Sequence, residues 1–169
     1  PDSRLRLKAA PFAAPGIQNH YRRSFVEQGI TTDRFAFVGP SDFPELMAAY
    51  RHIDIGLDLA PYNGGTTTYQ ALWMGVPVVT FAGYNFCSRT GASILQNHGH
   101  EAMVTETPWA HIDAAVAIAS DAPHRAALRT ELRETILSAQ SCSAERFTRN
   151  LGDKLRAVWR DWRRQRTAG

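Results

Sequence analysis

Residues 54–83 read DIGLDLAPYNGGTTTYQALWMGVPVVTFAG, and this stretch decides the architecture. Ile53 to Leu57 reads as a strand, closed by Asp58 and the turn-rich Pro61-Tyr62-Asn63-Gly64-Gly65. Thr66 to Met74 then reads as a helix ended at Gly75, and Pro77 to Phe81 as a short buried strand. Strand, glycine turn, helix and strand within thirty residues make one unit of a parallel sheet.

The same alternation extends outward in both directions. Upstream, Ser3 to Lys8 alternates, with Leu5 and Leu7 on one face. Pro15 opens a helix carrying Ile17, Tyr21, Phe25 and Val26, and Gly29 closes it. Arg34 to Val38 is the next strand, stopped by Gly39-Pro40. Asp42 is placed to cap a helix reaching about Arg51, with Glu45 positioned to complete a capping box. Downstream come a helix from Ser88 to His98 capped by Gly99, a weak strand at Ala102 to Thr105, and helices near 108–120, 122–139 and 143–165. The pattern predicts an α/β, Rossmann-like open parallel sheet with helices on both faces and an all-helical C-terminal end. Residues 1–169 are expected to form a single lobe. The helices of 108–165 pack either on it or on another domain, because Phe147, Leu151, Leu155, Val158, Trp159 and Trp162 form an apolar stripe on the last of them.

Composition narrows the class. A chain of 169 residues with 44% hydrophobic and 21% charged residues can bury one sizeable core. No apolar run reaches the roughly 20 residues of a membrane span. Two cysteines, Cys87 and Cys142, form no C-x-x-C pair, which makes a reducing, cytoplasmic setting the expectation. The net charge is +3, and Arg156, Arg160, Arg163, Arg164 and Arg166 crowd the end. Interleaved with the apolar stripe, they read as the solvated face of a helix rather than as a nucleic-acid surface. The first residue is Pro and no targeting profile follows, so the chain is expected to be an excised or processed domain.

Ligands of open parallel sheets bind where strand ends lead into helix N-termini. Gly64-Gly65-Thr66-Thr67-Thr68 lies at such an edge. The glycines let backbone approach a ligand closely, and the first helical amides are unpaired and carry partial positive charge. Threonine hydroxyls add donors, which makes a phosphate cradle without lysine; an ordinary N-cap after a glycine turn is the plainer alternative. Ser88-Arg89 should face the same edge, where Arg89 would meet an anion or simply lie on the surface. Asp58 is expected to order the following loop rather than act as a base. No G-x-G-x-x-G and no G-K-[ST] is present. His98-Gly99-His100-Glu101 reads as a helix end rather than a metal cluster, and no metal site is expected. Cys87 has no His or Asn partner nearby in sequence.

The block at 54–83, followed by FCSRTGASIL at 86–95, resembles the C-terminal catalytic lobe of the O-GlcNAc transferase and SPINDLY-like glycosyltransferases. The resemblance runs from PDSRLRLKAAPF at 1–12 to RFTRNLGDKLRAVWRDW at 146–162. It implies the two-lobed GT-B architecture, with a nucleotide-sugar donor held mainly by this lobe. Thr66 and Thr67, with the amides of Gly64, Gly65 and Thr68, match the donor diphosphate contacts. Gln70 matches the ribose-binding position. The loop from Gly39 to Phe43, with Ser41, Asp42 and Phe43, borders the nucleobase, as does the helix carrying Leu46. Asn63, Ser88 and Arg89 are supporting polar groups.

Family chemistry is inverting transfer of a sugar to Ser or Thr hydroxyls without a bound metal or cofactor. The implied donor is UDP-GlcNAc, and no residue here matches a general base. The implied partners are a protein acceptor, an N-terminal lobe and upstream tetratricopeptide repeats, with no nucleic acid or membrane. Three positions depart from the O-GlcNAc transferase pattern: Gly65 replaces a His, Gln70 an Asp and Leu46 a His. A diphosphate-neutralising lysine of the family lies before Pro1, so the chain alone is expected to bind donor weakly and not to turn over. The alternatives are a non-catalytic scaffold of the same fold, a GDP-sugar (fucosyl) transferase lobe, and a transferase or epimerase acting on small sugars.

Overall fold

The computed structural model describes residues 3–139 and 142–167, in two compact units, one ending at Ala48 and one starting at Ala49. In the first, β1 (Leu5–Lys8) and β2 (Phe35–Val38) pair in parallel, with Leu5 opposite Phe35 and Lys8 opposite Val38. They are linked through α1 (Pro15–Glu27). Pro15 suits the first helical position because its missing N–H would be unpaired there anyway. Gly29 leaves the helix at φ +79°, a conformation side chains resist. An aromatic cluster holds this unit together: Phe12 and Phe35 are buried, and the Phe37 ring lies tilted at 5.0 Å from Phe12 and 5.4 Å from Phe35, centroid to centroid.

The helix α2 (Phe43–Ala49) is capped as expected, the Asp42 carboxylate accepting the Glu45 amide at 2.8 Å. Among the described residues Glu45 makes no reciprocal bond, so the capping box is half formed. The helix also ends before Arg51, tightening into a 3-10 turn at Tyr50–His52.

The second unit contains β3 (Gly56–Asp58), β4 (Val78–Phe81) and β5 (Val104–Thr105), all parallel, in the order β3-β4-β5. The helix α3 (Thr66–Trp73) links β3 to β4, and α4 (Thr90–Asn97) links β4 to β5. Three boundaries differ from the sequence expectation, the simplest being β5, which starts at Val104 because Glu101–Met103 forms a 3-10 turn. Ile53 and Ile55 fall outside β3, because the Ile53 amide closes the 3-10 turn on Tyr50 and its carbonyl accepts Arg129 Nη2. Ladder bonding therefore begins at Gly56, whose amide meets the Pro77 carbonyl at 2.8 Å. Similarly, Ser88 belongs not to α4 but to a separate 3-10 turn, Phe86–Ser88. Asn85 and Ser88 cap each other reciprocally there, and α4 starts only at Thr90.

The helices α5 (Pro108–Ser120) and α6 (Ala122–Ser138) complete the core, α5 against β4 and β5, α6 against α3 and α5. Leu72, Val76, Val79, Leu95 and Leu132 are fully buried there. Burying each leucine contributes roughly 1.5–3 kcal/mol. On α7 (Ala144–Thr167) the stripe at Phe147, Leu151, Leu155, Val158, Trp159 and Trp162 is 45–66% exposed. Trp159 and Trp162 stack on each other at 5.0 Å.

His98 and His100 flank Gly99, which adopts φ +77°. His98 Nδ1 donates to the Ile94 carbonyl at 2.6 Å, and His100 Nε2 lies 2.9 Å from Thr135 Oγ1. Both contacts tie the end of α4 into the packing of this unit. Burial pushes His100 below the ordinary histidine value of 6.5; Glu131 and Glu101 oppose the shift and His98 reinforces it. His111 is lowered by burial as well, with Asp58 opposing. A lowered histidine stabilises the fold in full above the unfolded value, and that stability is lost as pH falls through the folded value. Urea midpoints should therefore drop between pH 7.5 and 5.5, and His100→Gln should reduce the drop. An equal drop in both proteins would remove His100 as its cause.

Candidate functional site

The C-terminal ends of β3, β4 and β5 lead into the loops before α3, α4 and α5, and the candidate site lies between the first two helices. A cleft of about 690 Å³ is lined by Gly65, Thr66 and Tyr69 of α3 and its cap, and by Phe86, Arg89, Thr90, Ser93 and Ile94 of the α4 side. Three sequence-predicted residues, Gly65, Thr66 and Arg89, thus share one wall-to-wall space. Apart from Phe86, which lies in the 3-10 turn, its other lining residues follow helical spacing. Tyr69 is three residues after Thr66, and Ser93 and Ile94 are three and four after Thr90, so each pair shares a helix face.

Among the described residues, the amides of Gly65, Thr66, Thr67 and Thr68 make no hydrogen bond, and neither do the three threonine hydroxyls. They are the unpaired donors of a helix N-terminus, where partial positive charge accumulates. Gly64 has no room for a side chain: a Cβ there would lie 2.6 Å from both Thr67 Oγ1 and Thr68 Oγ1. Gly65 is different, since its Cβ would meet only Thr90 Cγ2 at an ordinary 3.6 Å. Tyr50 donates its hydroxyl to the Thr67 carbonyl at 3.3 Å, and its own ionisation is pushed up by burial.

The turn itself is tightly held. Asn63 is 2% exposed; its amide donates to the Cys87 carbonyl at 2.9 Å and its side chain to the Phe81 carbonyl at 3.2 Å. Asp58 accepts the Gly64 amide at 2.7 Å, which is the loop-ordering role expected of it. Burial pushes the Asp58 carboxyl above 3.8, opposed by its bonds to Gly64 and Thr80 and by His111 and Asn63.

Arg89 donates Nη1 to the Gly83 carbonyl at 3.1 Å, anchoring one end of an exposed guanidinium at the cleft. Ser88 is buried and its hydroxyl is engaged by Asn85 within the 3-10 turn. Thr67, Thr68, Gln70 and Asn63 lie off the cleft wall. Gln70 Oε1 is shielded and has no partner. In the first unit, Ser41 donates to the Asp42 carbonyl at 3.3 Å, Asp42 caps α2, Phe43 is 62% exposed and Leu46 is half-buried. Cys87 and Cys142 are free and exposed. No described helix is long and apolar enough to cross a membrane.

The sequence pattern of glycosyl transferase family 41 matches residues 1–151. A probable UDP-N-acetylglucosamine–peptide N-acetylglucosaminyltransferase SPINDLY from Hordeum vulgare is 35% identical over 160 residues, 94% of this chain and 17% of its own length. A UDP-N-acetylglucosamine–peptide N-acetylglucosaminyltransferase from Caenorhabditis elegans is 28% identical over 95% of this chain and 14% of its own. The solved structure of a mutant O-GlcNAc transferase from Thermobaculum terrenum superposes with a TM-score of 0.87 at 36% identity. That match covers 94% of this chain and 30% of the solved one, so the chain spans a minor part of the proteins it matches. The parallel strands with intervening helices are accordingly a Rossmann-like lobe of a GT-B glycosyltransferase, and the chain belongs to glycosyl transferase family 41.

Proposed function

We propose that this chain is the donor-binding lobe of a protein O-glycosyltransferase that uses a nucleotide-diphosphate sugar, UDP-GlcNAc in the first instance. One observation carries the reading: seven unpaired donors, the amides of residues 65–68 and three threonine hydroxyls, gather at the mouth of α3 beside the cleft. An apolar or cationic ligand would leave them unsatisfied; a diphosphate satisfies them and gains from the helix dipole. Arg89, across the cleft from Thr66, adds a charge that can follow the leaving diphosphate. Gln70 Oε1, shielded and without a partner, is an acceptor for a ribose hydroxyl. Names of the related proteins support UDP-GlcNAc as donor and a peptide as acceptor. An N-terminal lobe and a repeat domain presenting that acceptor belong to the same proposal.

In this arrangement the lobe contributes to transfer by binding and by charge. Donors fixed at the diphosphate stabilise negative charge as the sugar–phosphate bond breaks, without reorganising at that moment. Each charge-assisted hydrogen bond is worth about 1.5–3 kcal/mol. Replacing Thr66 and Thr67 together by alanine should lower UDP affinity by about a hundredfold or more and leave weak uridine binding unchanged, as read by calorimetric titration. Equal loss for uridine and UDP would show that the threonines do not contact phosphate.

A further inference from the structure

Beneath the donor loop lies a buried acid. Asp58 ends β3 and is only 9% exposed. One carboxylate oxygen accepts the Gly64 amide at 2.7 Å, and the other accepts the hydroxyl of the fully buried Thr80 at 3.0 Å. On its remaining side the carboxylate abuts α4, for a Cβ on Gly91 would collide with Asp58 Oδ2 and with Thr80 Oγ1. A single side chain therefore touches the turn that starts α3, the central strand β4 and the first turn of α4. Those two helix starts are the walls of the cleft.

The bonding continues away from the cleft. The Thr105 hydroxyl donates to the Thr80 carbonyl at 2.9 Å, and His111 Nδ1 lies 3.4 Å from Thr105 Oγ1. Since the Thr105 proton points to Thr80, His111 donates from Nδ1, which leaves the buried Nε2 as an acceptor with no partner. Asp58 is thus held from below by a network tied to β5 and α5.

A negative charge is the wrong sign under a diphosphate site, and its burial disfavours ionisation besides. Its presence needs a reason other than charge, and the geometry supplies one. Gly64-Gly65 is the least restricted pair in the loop, and the Gly64 amide donates to no backbone carbonyl. Without an acceptor it would be free to rotate away from α3.

We infer that Asp58 is the positioning residue of the donor site, acting as a hydrogen-bond acceptor that latches the Gly64–Gly65 turn to β4 while packing against the start of α4, and so sets Thr66 against Arg89. The ligand in this inference rests on the donor reading above; the latch rests on the geometry alone.

Amide exchange at Gly64 and UDP affinity, measured by NMR on the wild-type chain, Asp58→Asn and Asp58→Ala, separate the two. Asparagine keeps an oxygen for the Gly64 amide and turns its NH2 to the Thr80 hydroxyl, which can accept. The Asp58→Asn protein should keep Gly64 protected and bind UDP within threefold of wild type or more tightly, because the repelling charge is gone. Asp58→Ala removes the same charge and the latch with it. Gly64 should then exchange at least tenfold faster, with Leu72 and Leu95 unchanged, and UDP affinity should fall at least tenfold.

Unchanged Gly64 exchange or unchanged UDP affinity in Asp58→Ala would overturn the inference. Should that variant fail to fold, Asp58→Asn decides alone: a tenfold loss of UDP with Gly64 still protected would show that charge, not position, is what matters. Failure of the wild-type chain to bind UDP would instead count against the donor reading, while the exchange comparison would still decide the latch.

Discussion

Replacing Gly64 by alanine is expected to abolish measurable UDP binding in a domain that still folds. The added Cβ would stand 2.6 Å from Thr67 Oγ1 and from Thr68 Oγ1, so both hydroxyls must leave their places, while the nearest backbone atom, the Thr68 nitrogen, is a tolerable 3.5 Å away. Losing two charge-assisted bonds at about 1.5 kcal/mol or more each corresponds to a loss of roughly a hundredfold or greater. Gly65→Ala is the internal control. Its Cβ meets only a methyl group at 3.6 Å and leaves both hydroxyls in place, so UDP affinity should fall less than in Gly64→Ala. Calorimetric titration of both variants reads the contrast. Equal effects of the two substitutions would mean that the turn tolerates or rejects side chains for reasons unrelated to the hydroxyls.

The largest loss of stability is expected from Gly75→Ala. Gly75 ends α3 at φ +75°, where an alanine costs about 1–2 kcal/mol. Its Cβ would also drive into the Arg129 backbone, carbonyl oxygen first, on α6, the helix that packs against α3. Overpacking of this kind costs about 1–3 kcal/mol more, and here backbone rather than a flexible side chain must give way. Together these come to about 2–5 kcal/mol, a large share of the roughly 5–15 kcal/mol that stabilises a small domain. The variant should unfold at markedly lower urea concentration than wild type, or be recovered largely unfolded. Gly99→Ala, also at positive φ but with open space around its Cβ, should lose only the conformational part. A Gly75→Ala protein as stable as Gly99→Ala would contradict the close approach of α6.

Much of this lobe is legible in the sequence because local signals and tertiary placement agree. Pro15, Gly29, Asp42, Gly75 and Gly99 each sit where an element starts or stops, and each does so through its own backbone chemistry. Elements failed to match where side chains from elsewhere in the chain took over. Ile53 looks like strand, yet its carbonyl is claimed by Arg129, 76 residues away, and β3 shortens accordingly. Ser88 looks like the start of a helix, yet Asn85 captures it in a capping box of its own, and the supporting hydroxyl expected there is turned inward.

The candidate site divides the same way. Gly64 and the threonine run are visible because their spacing is local. Asp58 reads only as a loop residue, since its second function depends on Thr80 and Gly91, which sequence spacing does not bring together. Likewise the partnerless Nε2 of His111 and Oε1 of Gln70 appear only once burial is known.

The central claim is that the start of α3 is a diphosphate cradle for a nucleotide-sugar donor. Backbone amide shifts recorded while UDP, GDP and UDP-GlcNAc are titrated in parallel test it most directly. Saturable shifts centred on residues 63–70 and on Arg89 and Thr90, with UDP and UDP-GlcNAc binding more tightly than GDP, are the predicted result. Tighter binding of GDP would keep the cradle and change the donor class. Shifts that fail to saturate with any of the three, or that saturate away from α3, would contradict it.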